Sequence, residues 1–206
     1  MKTEVLKSDN RVALEHAVDV LKHGGMVAFP TDTVYGLAAL PVNAEFIEGL
    51  YTVKGRESTR AIAILISSSE QLKDTSDSPN ETAQILARKF WPGPLTLIVP
   101  RHPSLPAILS PNPTIGVRVP DHEFALQLLS MTGPLGVTSA NMSGQKNTTT
   151  ADEVLEQLDG RIHLLIDGGT SPGSVPSTVV DCTTPEPIIL RAGPISLADI
   201  QSVVSD

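Results

Sequence analysis

Several polar segments of this chain stand at the ends of apolar runs, and they hold the side chains best able to do chemistry. In PTDTVYGL (30–37), Thr31, Asp32, Thr33 and Tyr35 offer hydroxyls and a carboxylate on a tight turn that can reach a small polar ligand. The same hydroxyls can equally cap their own backbone. KGRESTR (54–60) puts three cations within seven residues. Lys54 is a compact charge and Arg56 and Arg60 are planar forks, a set that can surround a polyphosphate. Basic residues at a helix C-terminus also complement the helix dipole. In GVRVPDH (116–122), Arg118 interrupts an apolar strand and needs either a carboxylate ligand or an internal acidic partner, because an unpaired buried charge is costly.

TSANMSG (138–144) sets Ser139 and Asn141 on either side of Ala140 just past a strand, a placement for directed hydrogen bonds to a nucleotide or an amino acid. The run TTTADE (148–153) reads as a helix N-cap, with Thr150 and Glu153 in capping-box spacing. GGTSPGSVPSTVVDC (168–182) is a candidate mobile flap rich in Gly and Pro, with Ser177 and Thr178 where the chain re-enters a strand. It leads to ILRAG (189–193), where Arg191 again follows an apolar run.

Other chemistries lack their signatures. No GxxxxGK[ST] occurs and no GxGxxG follows a strand, so neither a P-loop nor a dinucleotide fingerprint is present. No GxSxG elbow marks a serine hydrolase. His16, His23, His102, His122 and His163 form no HxxxH or HExxH pair, and no metal ligand is assigned. The lone Cys182 allows no internal disulfide or cysteine-based zinc site and reads as a core residue, so a cytoplasmic location is the default.

The elements that must position these segments follow from periodicity and punctuation. Asn10 caps a helix carrying Val12, Ala13, Ala17, Val18 and Leu21, which Gly24 and Gly25 stop. Further helices are predicted over 43–55, 81–90, 122–130, 151–158 and 196–204, and strands over 26–29, 61–66, 95–99, 115–119, 135–138, 164–166, 179–181 and 188–190. Residues 67–80 read as a polar surface loop with one helical turn. The irregular alternation predicts an α/β fold with a sheet of mixed strand direction.

At 206 residues the chain is expected to be a single domain, 1–206. With 40% apolar residues, 15 glycines and 17 prolines, it reads as an aliphatic core joined by sharp turns. No apolar run approaches the ~20 residues of a membrane span, and the first residues, MKTEVLKSDN, carry no apolar signal region. Fifteen basic against 23 acidic residues leave a net charge of −8, which disfavours nucleic acid as the main ligand.

Taken in order, PTDTVYGL, KGR, FWPGPLTLIV, the Arg118 strand, SAN, PSTVVD and ILRAG resemble the YrdC/TsaC family of threonylcarbamoyl-AMP synthases, over nearly the whole chain. The resemblance implies a twisted, open mixed sheet with flanking helices around a large concave cavity. It implies conversion of L-threonine, bicarbonate or CO2, and ATP to L-threonylcarbamoyladenylate and pyrophosphate, the first step of threonylcarbamoyl-adenosine modification of tRNA. By the same analogy Thr33, Arg118, Ser139 and Ser177 fall on threonine-contacting positions, and Lys54, Arg56, Arg60, Thr114, Asn141, Thr149 and Arg191 on ATP-contacting ones, with Lys54 and Arg56 catalytic. Mg2+ is expected to travel with ATP, and a downstream threonylcarbamoyl transferase to accept the product.

The chain departs from the pattern at three places. Glu57 and Arg60 stand where many relatives have Pro and Asn, and Leu65 where some have a His. Alternative readings are a module that binds double-stranded RNA or tRNA or serves ribosome maturation, and a YrdC-like paralogue of other adenylating activity. A paralogue acting on carbamoyl phosphate, as in HypF proteins, is expected to need further domains that 206 residues cannot hold.

Overall fold

A computed structural model describes residues 2–173, 175–184 and 186–204. The predicted flap includes residue 174, which lies outside the described residues, as do the extreme ends of the predicted 1–206 domain. The first half of the chain forms β1 (Glu4–Lys7), α1 (Ala13–Lys22), β2 (Val27–Phe29), β3 (Gly36–Ala39), α2 (Ala44–Lys54), β4 (Ala63–Leu65), α3 (Leu72–Thr75), α4 (Glu81–Phe90) and β5 (Leu95–Pro100). Then come β6 (Thr114–Arg118), α5 (Glu123–Thr132), β7 (Leu135–Ser139), α6 (Ala151–Leu158), β8 (Leu164–Asp167), β9 (Thr178–Asp181), β10 (Ile188–Arg191) and α7 (Leu197–Val204).

Local chemistry sets several of these boundaries. The Asn43 side chain accepts the Phe46 N–H at 2.9 Å to start α2, and Gly55, at φ 57°, ends it in the left-handed conformation. This stop separates Lys54, the last helical residue, from Arg56. The Thr150 hydroxyl accepts the Glu153 N–H at 3.2 Å to begin α6, while Glu153 reaches back to the Thr149 N–H at 2.6 Å. The predicted cap of α1 is displaced: Asn10 accepts the Val12 N–H at 3.1 Å, and Val12 occupies the cap position.

The strands form one sheet in the order β1-β8-β2-β3-β7-β4-β6-β5-β9-β10. Neighbours β1/β8, β2/β8, β4/β6 and β5/β9 are parallel and the remaining neighbours antiparallel, so the expected mixed sheet is present. Two of its strands were not predicted. β1 is a short edge strand with three of its four residues exposed, and β3 is GLAA, whose Gly and Ala favour strands weakly. Pairing of β3 with β2 on one side and β7 on the other makes it a strand despite its composition.

Alternation divides the sheet into two faces. Ala28, Leu37, Ala39 and Leu165 join the core cluster that includes Leu50 of α2, Leu86 of α4 and Val154 of α6. Val27, Phe29, Ala38, Leu164 and Ile166 join the cluster built with Ala17 and Leu21 of α1 and Leu128 of α5. Leu65 and Val137 belong to this second cluster and also line a cavity of about 290 Å3. On that face, helices cover one part of the sheet and a cavity opens over β4, β6, β5 and β9. Among the described residues no helix is long and apolar enough to cross a membrane.

Candidate functional site

The cavity floor is set by strand register. Leu65 pairs with Arg118, Thr96 with Val179, and Val179 with Arg191, while the antiparallel pairing of Leu97 with Val117 brings Thr96 opposite Arg118. One row across four strand spacings therefore reads Leu65, Arg118, Thr96, Val179, Arg191, at about 4.8 Å per step. The next row holds Val137, Ala63, Gly116 and Ile98. A Cβ on Gly116 would stand 3.1 Å from Thr96 Cγ2 and 3.3 Å from Ile98 Cδ1, so glycine keeps the floor low beside Arg118.

Arg118 is 6% exposed and already well bonded. Its Nε donates to Gly93 O at 2.9 Å, one terminal nitrogen donates to Thr33 Oγ1 at 2.9 Å, and the other pairs with the Asp32 carboxylate. The internal acidic partner considered for Arg118 thus exists, and it lies in the PTDT turn. Burial pushes the Arg118 pKa down while Asp32 pulls it up, and Arg191 lowers it further. Three of the five N–H donors of a guanidinium are engaged in these bonds, so its direction is fixed while two remain for a ligand.

Arg191 and Arg56 are held differently. Arg191 donates from two nitrogens to Ser177 O, at 2.9 and 3.1 Å, and to Ser177 Oγ at 3.1 Å. The Ser177 hydroxyl also pairs with Thr96 Oγ1 at 2.7 Å. Arg56 donates to Arg60 O at 3.3 Å and to Ala61 O at 2.9 Å. Burial lowers the pKa of both, and Arg60 adds repulsion at Arg56. Guanidinium groups keep their charge under such shifts.

Glycines let the walls close on the PTDT and PST segments. A Cβ on Gly173 would meet Asp32 O and Thr33 Cα at 2.7 Å, and one on Gly193 would meet Thr178 N at 2.4 Å. The Tyr35 hydroxyl donates to Gly169 O at 2.7 Å and accepts the Gly168 N–H at 3.2 Å, tying the start of the predicted flap to β3. Burial pushes the Tyr35 pKa up to about 12. Cys182 is a core residue whose thiol is likewise pushed up to about 12 by burial.

Of the candidate residues, Thr33, Arg56, Arg118, Ser139, Ser177 and Arg191 line the cavity together. Lys54, Arg60, Thr114, Asn141 and Thr149 do not. Lys54 is 1% exposed and donates to the main-chain oxygens of Ser139 and Asn141, beneath the turn instead of inside the cavity. Asn141 spends its amide on Met142 O and Gln145 O, at 2.9 and 2.8 Å. Thr149 is bonded to Glu153, and Arg60 is exposed with its nearest side-chain partner, Ser143 Oγ, at 3.5 Å. Thr114 lies on the floor's face of β6, two residues before Gly116.

Thr96, Asn147 and the apolar lining of Ala61, Ala63, Ile98, Val137 and Val179 were not singled out from the sequence, whereas Leu65, noted there as a departure from the family pattern, also lines the cavity. Only Thr96 carried a usable signal, a hydroxyl in the apolar run LTLIV. The rest become lining residues through register. Among the described residues lining the cavity there are three arginines and no Asp or Glu.

A mixed open sheet with a cavity that gathers three guanidinium groups and, among the described residues, no lining carboxylate offers a site suited to small anions. The family model Sua5_yciO_yrdC, described as telomere recombination, matches residues 19–193, and the chain belongs to this Sua5/YciO/YrdC family. Threonylcarbamoyl-AMP synthase of Pyrococcus abyssi is 38% identical over 192 residues, covering 92% of this chain and 56% of that protein. Threonylcarbamoyl-AMP synthase of Bacillus subtilis is 38% identical over 200 residues, covering 96% of this chain and 58% of that one. The chain thus spans little more than half the length of these curated relatives. The crystal structure of P. abyssi Sua5 complexed with L-threonine superposes with a TM-score of 0.92 at 36% identity, over 98% of this chain and 61% of that one.

Proposed function

We propose that the chain is a threonylcarbamoyl-AMP synthase, a nucleotidyltransferase that converts L-threonine, bicarbonate or CO2, and ATP to L-threonylcarbamoyladenylate and pyrophosphate in the cytoplasm. The observation that carries this reading is the cavity whose lining has Arg56, Arg118 and Arg191 but no acid among the described residues, in a chain of net charge −8. The names of its relatives, and the L-threonine held by the P. abyssi structure, supply the substrate.

In this reading the threonine carboxylate takes the free donors of Arg118, with Thr33, Ser139 and Ser177 binding its polar atoms. The threonine amine combines with CO2 to a carbamate, whose oxygen attacks the α-phosphorus of ATP while the bond to pyrophosphate breaks. Arg56 and Arg191 offset the repulsion between the two anions and stabilise charge developing on the phosphoryl oxygens. Arg60, Thr114, Asn141 and Thr149 complete the ATP site around the cavity, and no covalent nucleophile is needed. Mg2+, carried by the triphosphate, would neutralise further charge. The adenylate passes to a threonylcarbamoyl transferase acting on tRNA.

Incubation with ATP, bicarbonate and L-threonine is expected to release pyrophosphate and form the adenylate. Release that is independent of threonine defeats the assignment. Salt-sensitive binding to double-stranded RNA without adenylate formation would favour the RNA-binding alternative.

A further inference from the structure

Lys54 presents a problem of cost. It is a lysine with 1% exposure, and no carboxylate pairs with it among the described residues. A buried cation without a counter-charge is expensive, and an apolar side chain of similar size would fill the space more cheaply. What it has instead of a carboxylate is one turn, gripped at both ends. Its Nζ donates to the main-chain oxygens of Ser139 and Asn141, with Asn141 Oδ1 a further 3.5 Å contact. Its own carbonyl accepts the Ser143 N–H at 2.9 Å.

The turn has few other ways to hold that shape. Ser139 O also accepts the Asn141 N–H at 3.0 Å, but Lys54 is the one donor the described residues offer to Asn141 O. Ser139 ends β7 opposite Gly36 and lines the cavity, so its main-chain oxygen is held by Lys54 while the residue faces the ligand space. Burial and the neighbouring Arg56 push the Lys54 pKa down to about 7. Both forms of the group can serve two carbonyls, since a neutral amine has two N–H donors and an ammonium three.

We propose that Lys54 is a positioning residue that shapes the SAN turn for threonine, acting through Ser139 and Asn141 and not through contact with ATP. This replaces the catalytic, phosphate-binding role that its place in KGR implied, and it rests on the synthase reading. A phosphate contact and a turn clamp differ in one measurable respect: only the clamp affects threonine binding when no nucleotide is present.

The test is calorimetric titration of L-threonine, without nucleotide, into the wild type and Lys54→Met, with ATP titrated separately and thermal unfolding recorded for both. The clamp predicts a threonine Kd raised at least fivefold in the variant, whatever happens to ATP. A rise of less than fivefold overturns it, including the case where ATP affinity falls alone. If Lys54→Met shows no cooperative unfolding, Lys54→Gln is titrated instead, because its side chain ends one atom short of the Nζ position and leaves the two carbonyls without their shared donor, and the same fivefold criterion applies. Wild type that binds no threonine at all overturns the synthase reading and this assignment together. Threonine binding that the variant retains overturns this assignment alone.

Discussion

Two of the arginines that line the cavity are held in opposite ways. Arg118 is buried and fixed by a carboxylate, a hydroxyl and a carbonyl before any ligand arrives. Arg56 rests on two main-chain carbonyls with no ion pair among the described residues. A carboxylate ligand profits from a guanidinium whose direction is set in advance, because a paired planar fork is specific in geometry. A flexible triphosphate needs charge more than direction, and an arginine without a carboxylate keeps its full field for it. In the proposed synthase, Arg118 would serve recognition and Arg56 electrostatic stabilisation.

The substitution that breaks this comparison most severely is Arg118→Met. It strands the largely buried Asp32 carboxylate, and breaking a buried pair costs about 3 to 5 kcal/mol. Chemical denaturation should show a loss of that size, and threonine binding should vanish. A variant as stable as wild type would mean that the pair contributes nothing.

Arg56→Ala should act almost wholly on catalysis. Removing one preorganised charge-stabilising donor costs about 10²- to 10³-fold in kcat. We expect a fall of this order in adenylate formation, with threonine affinity and unfolding midpoint close to wild type. Retained turnover would reduce KGR to a helix-end feature that complements the dipole of α2.

Ser177→Ala sharpens the middle of the comparison. The hydroxyl joins Thr96 to Arg191, so its loss should weaken binding by about tenfold, near the 1 kcal/mol of one net hydrogen bond and its neighbour's readjustment. Titration of threonine and ATP separately should show both affected, because Ser177, just before β9, bonds both Thr96 of the floor and Arg191.

The last effect concerns pH. The folded-state pKa of Lys54, about 7, lies below its ordinary value of 10.5. Between those values the unfolded chain holds a proton that the folded chain has lost, so this group makes stability rise with pH across that window. The difference in unfolding free energy between wild type and Lys54→Met should move in favour of wild type from pH 7 to pH 9. A flat difference would place the Lys54 pKa near its ordinary value.

Much of this was legible in local sequence. Asn43 and Gly55 marked the ends of α2, Thr150 marked the start of α6, and the apolar runs marked eight of the ten strands to within a residue or two at most ends. β3 escaped because its four small residues carry no strand preference of their own, and its neighbours impose the extended form. The same limit governed the site. Arg118 was readable as a charge in need of a partner, but the partner lies 86 residues away in the chain.

By itself, the sequence determined the residue types, the caps, the face alternation of the strands and the order of motifs that marks the family. Those properties depend on neighbours within about one helical turn or one strand. Tertiary structure alone decided that Arg118 meets Asp32, that Leu65 and Thr96 flank it, and that Lys54 turns away from the cavity which Arg56 lines. Lys54 and Arg56 are two residues apart in one basic motif, and no rule of composition separates them. The αL turn at Gly55 and the end of β7 at Ser139 send one cation under the SAN backbone and the other to the ligand space, because each must satisfy its donors where the fold leaves acceptors.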